Sequence, residues 1–509
     1  MSELQAARAE IAELKERLAQ MEALIDWFKK QVFGGGKSEK QDALQMRLKL
    51  EELEQAREQL VQRQQIAYER KKPESAANPA ERFEHLPVKE QVVIEPEEVK
   101  ADPDLYVKIG EERGFEVDIT PPKLFKREIV RPKYKHRIDR SRPPIIAPAP
   151  RRVIDNSYAS AGLIAWVLLS KYRDHLPLYR QEKMFKRWNG SIARQTLCDW
   201  VGAAAFLLEG IYATIKQQLL QCDYLQADET PIKFIDPDRK RAKASTGYFW
   251  LMGQPGGYVY IEWNPSRGQD AAEALLGGFK GLLQIDGYSA YNQLSSPDHG
   301  VTRLACLAHC RRKFAEAAES GSSQALFMLR LINQLYHLDN QWERAGITSP
   351  KLRAVRRQQD FTMTLTLLKK AATKLREKAR PASTLGQACS YLLGQWEALL
   401  RVCEYGQAKL DNNLIENAVR PTALGKKNWL FVGHPQAGKR SAVIYTLLLC
   451  CERFGIDPHA YFKDLLSKLP NMSNQDDLEP FLPHNWNPPR SNQDPPCHKQ
   501  DLENVTIDV

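Results

Sequence analysis

The stretch "DYLQADETPIKF", residues 223–234, sets Asp223, Asp228 and Glu229 around a short apolar run. Tyr, Leu, Ile and Phe at this density favour a strand, and an apolar strand that gives way to acids places carboxylates at the rim of a sheet. A single acid there serves equally well as a turn cap. A second stretch, "LLQIDGYSAYNQL" at 282–294, repeats the setting, with an apolar run ending at Asp286 and Gly287 opening a turn. A third, "DNNLIENAVRP" at 411–421, has Asp411 or Asn412 as a helix cap and Glu416 one turn inside. Asn412, Glu416 and Arg420 follow at intervals of four and share one helical face. Two strand-end carboxylates and one helix carboxylate, brought together, make an oxygen-only site for a pair of divalent cations, Mg2+ or Mn2+. Such a pair serves in-line phosphodiester chemistry.

Around these acids the texture alternates between strand and helix. "YLQA" from Tyr224, "GYFWLMG" from Gly247, "YVYIEW" from Tyr258 and "GLLQID" from Gly281 read as strands, with a helical "DAAEALLGGF" before the last. Consecutive strands followed by a helix and another strand predict a mixed sheet covered by helices. Residues from about 307 to 403 look helical throughout and form an insertion in a core spanning 222–470. The region 157–221 is helical too. Its "MFKRWNGSIARQTLCDWVG" predicts a helix, an Asn189-Gly190 turn and a second helix started by Ser191. Leu197, Trp200 and Val201 then face inward while Arg194 and Gln195 face outward, which suits a helix-turn-helix reader and a plain helical hairpin alike.

A chain of 509 residues exceeds what one hydrophobic core serves, so several domains are expected. The net charge of +10 is concentrated: residues 121–152 hold eleven Lys or Arg against Glu128 and Asp139. In the Pro-rich segment 121–156, Lys133, Lys135, Arg137 and Arg140 interleave with Tyr134 and His136, and Pro143, Pro144, Pro148 and Pro150 favour an extended arm. Its charge suits phosphate contacts; a solvated linker is the plainer alternative. At the N-terminus, Leu4, Ala7, Ile11, Leu14, Leu18, Met21, Ile25, Phe28 and Val32 keep heptad spacing, so residues 4–32 are expected to self-associate as a coiled coil, with a helical leader to residue 72. Residues 73–120 form a small module with strand-like runs such as "EQVVIEP", and 471–509 a polar tail. No signal peptide is evident, the apolar runs fall short of the roughly 20 residues of a membrane span, and the nine cysteines are scattered. A cytoplasmic location with no membrane partner is expected.

"YLQADETPIKF", "LLQIDGYSAYNQL", "LAHCRRKF" at 307–314 and "DNNLIENAVRPTALGKKNWLFVGHPQAGKRSAVIYTLL" at 411–448 resemble, in order and content, the signature blocks of the insertion sequence 66 family of DDE transposases. "LPLYRQEKMF" with "TLCDWVG", the heptads with "VFGGGKSEK", and "LEPFLPHNW" extend the resemblance over nearly the whole chain. It implies an α+β multidomain protein with a helical DNA-binding region and an RNase H-like core whose catalytic, metal-binding acids are Asp228, Asp286 and Glu416. Such an enzyme cuts transposon ends and joins the 3′ hydroxyls to target DNA. It is nucleoid-associated when bound, and element-encoded accessory proteins are plausible partners. Glu229 is the second choice for the first acid.

The family usually carries a cysteine-rich zinc module after the coiled coil, whereas residues 34–197 hold no cysteine, so 73–120 reads as a metal-free counterpart and no zinc is expected. "GHPQAGKRS" at 433–441 mimics a phosphate-binding loop, but Arg440 stands where a hydroxyl residue belongs. Lys426, Lys427, Lys439 and Arg440 are expected near DNA phosphates, as are Arg311, Arg312, Lys313 and Arg420. Cys306, His309 and Cys310 crowd one helical turn too tightly for a structural zinc site. A DNA-binding oligomer with an idle core and a nuclease without strand transfer are the rival readings. Deleting residues 1–33 is expected to weaken assembly while the core stays folded; an unchanged oligomer in light scattering would place the interface elsewhere.

Overall fold

The structure is a computed structural model. It describes residue 104 and residues 122–488 apart from 136, 138–140, 142, 236–243, 296–299 and 474. The heptads of 4–32, the leader to 72, the module of 73–120 (Asp104 aside) and Arg140 lie outside the described residues.

The basic arm is extended, as its prolines predict. Lys133–Tyr134 (β1) and Ile145–Ile146 (β2) pair antiparallel as a short ribbon, and Lys133, Lys135 and Arg137 are exposed. Helices α1 (Ala161–Tyr172), α2 (Leu178–Arg187) and α3 (Arg194–Leu220) follow. Asn189 takes the left-handed turn conformation at φ 57°, but Ser191 does not start the second helix. Ile192 is buried, which holds 191–193 out of the helix, and α3 begins at Arg194 behind Ala193 without a side-chain cap. Leu197, Trp200 and Val201 are buried, while Arg194 and Gln195 are exposed on the first turn. By length and composition α3 is apolar enough to cross a membrane; here its buried side packs against the long helix α12 (Pro435–Arg453) and the strand β5 (Val259–Asn264).

Strands β3 (Tyr224–Ile235), β4 (Ala244–Gly253) and β5 form an antiparallel meander, and β6 (Gly281–Ile285) and β7 (Val301–Ala305) extend it in parallel, in the order β5-β4-β3-β6-β7. Parallel pairing demands a crossover, and α4 (Gln269–Leu276) supplies it between β5 and β6. The first half of β3, Tyr224 to Ala227, is buried on both faces, whereas Thr230 to Ile235 alternates buried and exposed. The strand therefore does not end at Asp228, as its apolar run suggested; it runs on seven residues paired with β4, and its other edge bonds Val432 and Gly433 at Lys233 and Ile235. Strand β7 escapes the sequence pattern because it is short and half polar, with Thr302 and Arg303 at its centre.

From β7 the chain enters six helices: α5 (Leu307–Glu319), α6 (Ser323–Arg344), α7 (Pro350–Asp360), α8 (Thr362–Lys378), α9 (Thr384–Gly394) and α10 (Trp396–Glu404). They lie in the segment read as a helical insertion and carry a core of their own. The chain then returns to the sheet, where α11 (Asn413–Trp429), α12 and α13 (Pro458–Lys468) complete the main core. Ser441 to Cys451 of α12 are all buried, as befits a helix apolar on every side. Leu482 is buried, and Trp486 donates to Asp464 at 3.0 Å, so this part of the tail is seated on α13.

The insertion also buries charge. Asp339 accepts from Arg353 at 2.6 Å and from Arg357 at 2.9 and 3.1 Å, and Arg357 donates to the carbonyls of Val402 and Tyr405 at the end of α10. Removing one partner of a buried pair strands the other charge. Asp339→Asn is expected to lower stability in urea unfolding by about 3–5 kcal/mol. Glu343→Gln, which breaks the exposed pair with Lys409, is expected to lower it by less than about 1 kcal/mol.

Candidate active site

Strands β3 and β6 are in register at Tyr224–Gln226 against Leu282–Gln284 and then part. Asp228 and Asp286 follow two residues after Gln226 and Gln284, so each acid lies on the same side of its chain as its glutamine. The glutamines are buried and bond to each other, Gln226 Nε2 to Gln284 Oε1 at 2.9 Å. Their remaining donors take backbone carbonyls of the returning chain: Gln226 that of Asp411 and Gln284 that of Lys409, each at 2.8 Å. Tyr224 Oη accepts the Lys409 N–H at 3.1 Å. Asn412 is the cap residue of α11, yet its side chain caps nothing; its amide donates to the Ala227 carbonyl at 2.8 Å. Asp411 makes the local contact, accepting from Asn413 N at 3.1 Å. Helix α11 is thereby held over β3, and Glu416 lies in its first turn.

Asp228 senses the other two acids. The Asp228 carboxyl is pushed up to about 7, first by burial, then by Glu229, with Asp286 and Glu416 adding to the effect. Asp228 accepts the Glu229 N–H at 2.9 Å, and Asp286 accepts the Tyr288 N–H across its turn, also at 2.9 Å. Glu416 Oε1 is buried without a hydrogen-bond donor, and its Oε2 pairs with Arg312 at 3.0 Å. Glu229, turned the other way, is neutralised by Arg267 at 2.6 Å and bonded by Tyr291 at 3.0 Å. Glu229 therefore has a cation partner of its own in Arg267, as Glu416 has in Arg312.

The insertion reaches the same place. The Tyr391 hydroxyl donates to the Asp286 carbonyl, Lys313 lies over the Tyr391 ring, and Arg303 donates to Gln395. Gly287 has φ +88°, which strains any other residue, and a Cβ there would sit 2.6 Å from the Gln395 amide, which would have to move. His309 stands 3.5 Å from Glu416 Oε1, and burial pushes its imidazole pKa down despite Glu416 and Asp286 nearby.

Residues 156–440 match the family described as "Transposase IS66 family". Two proteins of Sinorhizobium fredii (strain NBRC 101917 / NGR234) are similar over most of their length. Uncharacterized protein y4jD is 32% identical across 79% of this chain and 81% of its own, and uncharacterized protein y4qI is 31% identical across 82% and 79%. The chain belongs to the IS66 transposase family.

In this IS66 family member the cations expected near phosphates are dispersed. Of the "HCRRKF" group, Arg312 is drawn to Glu416, Lys313 to Tyr391, and Arg311 turns to Asn333 at 3.0 Å. Arg420 shares a helix with Glu416 but lines a cavity with Tyr172, Arg173, His175 and Glu452. Lys426 approaches the Pro231 carbonyl at 3.4 Å, and Lys427 is exposed. Lys439 and Arg440 are exposed on α12, and the Arg440 guanidinium lies against Gly202 of α3. Gln195 bonds its own helix at Asp199. The phosphate-loop mimic dissolves, because α12 already starts at Pro435 and Gly438 sits inside it, packed on Trp263.

Sequence reasoning singled out the three acids as candidates, gave no role to Gln226, Gln284, Tyr391 or Gln395, and read Asn412 as a helix cap. The one local signal was the repeated "Q-x-D" of "YLQAD" and "LLQID".

Without divalent cations, a carboxyl held near 7 in the fold against about 3.9 in the unfolded chain binds its proton more tightly when folded. The contribution of Asp228 to stability should therefore be greatest below about pH 4 and fall as pH rises toward 7. Asp228→Asn is expected to change little at low pH and to raise stability at pH 8 by up to about 4 kcal/mol, measured by urea unfolding in chelator.

Proposed function

We propose that this chain is a DDE-type DNA transposase that cuts insertion-sequence ends and joins the 3′ hydroxyls to target DNA, with Asp228, Asp286 and Glu416 as its catalytic acids. The observation that carries this reading is the convergence of acids from β3, the end of β6 and α11 at one end of the sheet, where Asp228 is raised to about 7. A cation would favour the charged form of the Asp228 carboxyl, and the donorless Glu416 Oε1 is an oxygen suited to one. All the donors are hard oxygens, which fits Mg2+ or Mn2+. Among the described residues the three acids do not form a set with all three carboxylates within 4.8 Å of one another. Bound there, the pair supplies activation of the attacking oxygen and stabilisation of the leaving one.

The protein's own groups orient this chemistry. Asp286 is fixed by the Tyr288 N–H and the Tyr391 hydroxyl, and Glu416 by the docking of α11 on the two glutamines. Arg312 holds Glu416 Oε2 and, where DNA enters, offers its charge to a phosphate. The mixed five-stranded sheet with its helical insertion supports an RNase H-like core. Lys133, Lys135 and Arg137 of the exposed arm, with Arg194 and Gln195 at the start of α3, are the proposed DNA contacts, and residues 4–32 the self-association segment. Transposon-end and target DNA are the proposed partners, met at the nucleoid.

Asp228→Asn, Asp286→Asn and Glu416→Gln are each expected to lower Mg2+-dependent cleavage and joining at least ~10³-fold while DNA binding persists, and their combinations to add little. Glu229→Gln should retain substantial activity. Wild-type-like cleavage by the Asp228 variant would return that acid to turn capping, and cleavage with no joining of pre-cut ends would leave a nuclease.

A further inference from the structure

The "CLAHC" turn gains a partner that its sequence does not show. Cys306 precedes α5 and His309 lies in its first turn. Cys310 turns into the insertion core, while Cys306 and His309 meet Glu416 from α11. One ligand atom from each, thiol sulfur, imidazole nitrogen and carboxylate oxygen, lies within 4.8 Å of the others. His309 Nδ1 and Glu416 Oε1 are 3.5 Å apart, and both are buried without a hydrogen-bond partner. The Cys306 sulfur accepts the Asn412 N–H at 3.2 Å, the kind of bond that supports a metal-bound thiolate.

We propose that Cys306, His309 and Glu416 form a capture site for a zinc-class divalent ion, whose binding withdraws Glu416 from the acid set. The donor chemistry selects the ion: one sulfur, one nitrogen and one oxygen suit zinc and its borderline neighbours, whereas magnesium declines sulfur. In a tetrahedral zinc site, bonds of about 2.0–2.3 Å put the ligand atoms roughly 3.3–3.8 Å apart. The His309–Glu416 pair already has that separation, and Cys306 needs a movement of about 1 Å or less to join. Cys306 gives its proton to solvent on binding. Arg312 keeps Oε2, so Glu416 is free to bind through Oε1 alone, and water takes the fourth position. The inhibitory half of the proposal rests on the transposase reading; the binding half does not.

The test uses the full chain stripped with chelator. Cobalt(II) is the probe, since a thiolate on cobalt gives a charge-transfer band. The wild type is expected to show the band at stoichiometric cobalt and to lose it when zinc is added. Cys306→Ser, which keeps an acceptor for the Asn412 N–H, should abolish the band and weaken zinc binding more than about tenfold in competition with a chromophoric chelator. His309→Asn should weaken it similarly, which keeps the site testable if the serine variant misfolds, and Cys310→Ser should retain the band. In Mg2+ buffer, zinc should inhibit wild-type cleavage, and the ratio of rates with and without zinc should approach unity in Cys306→Ser. A wild type without the band, or a Cys306 variant that keeps it, overturns the site. A band of the expected behaviour in a protein that never cleaves DNA with Mg2+ upholds the site and overturns the transposase reading.

Discussion

Two buried glutamines at the centre of the sheet fix where the third acid can be. Gln226 and Gln284 are in register on neighbouring parallel strands and have nearly no access to water. A buried amide left unbonded costs about 1–3 kcal/mol, so both require partners, and besides each other they take the backbone carbonyls of Asp411 and Lys409. The returning chain is thus held in one position by the polar needs of the sheet itself. Asn412 adds a bond to Ala227, the residue before Asp228, and α11 starts where that bond leaves it. The acid on the helix and the acid on the strand are registered to each other through a few hydrogen bonds, which fix direction as apolar packing would not.

The same constraint explains how a chain can leave the sheet for six helices and still deliver Glu416. Closing so long an excursion costs little more than closing a short one, because loop entropy grows only with the logarithm of length. The insertion meets that cost with its own core and its Asp339–Arg357 contacts, and it is clamped at both ends: Leu307 N bonds the Leu410 carbonyl at 2.9 Å, and Asn412 N bonds Cys306. Entry and exit of the insertion are side by side, beneath the acids.

What was legible in the sequence followed local period and composition. The strands bearing Asp228 and Asp286, the crossover helix and the insertion are all written in patterns a few residues long. Contacts between distant segments are not. Nothing near Gln226 announces that its amide is used by a residue 185 positions away. Asn412 reads as a cap because asparagine commonly caps, and only the Ala227 carbonyl above it explains the different use. Arg420 shares a nominal helical stripe with Glu416, yet a long side chain one turn further on enters a different cavity. Ser191 loses its expected role to burial of its neighbour, Ile192.

The close fit of Gln395 against Gly287 also says how this protein tolerates change. The turns that connect α6, α7 and α8 carry none of the contacts to Asp286 named above, so a residue gained or lost there that leaves the Asp339–Arg353 and Asp339–Arg357 pairs aligned concerns the insertion's own core. The span from Tyr391 to Gln395 has no such slack, since one side chain holds the Asp286 carbonyl and the other fills the space over Gly287. A shift of one residue there rotates both side chains off their targets by about 100° of helix, the angle set by 3.6 residues per turn. In an alignment of relatives, gaps belong in the far helices, and the short segment before α10 is the fixed ruler from which Asp286 should be placed.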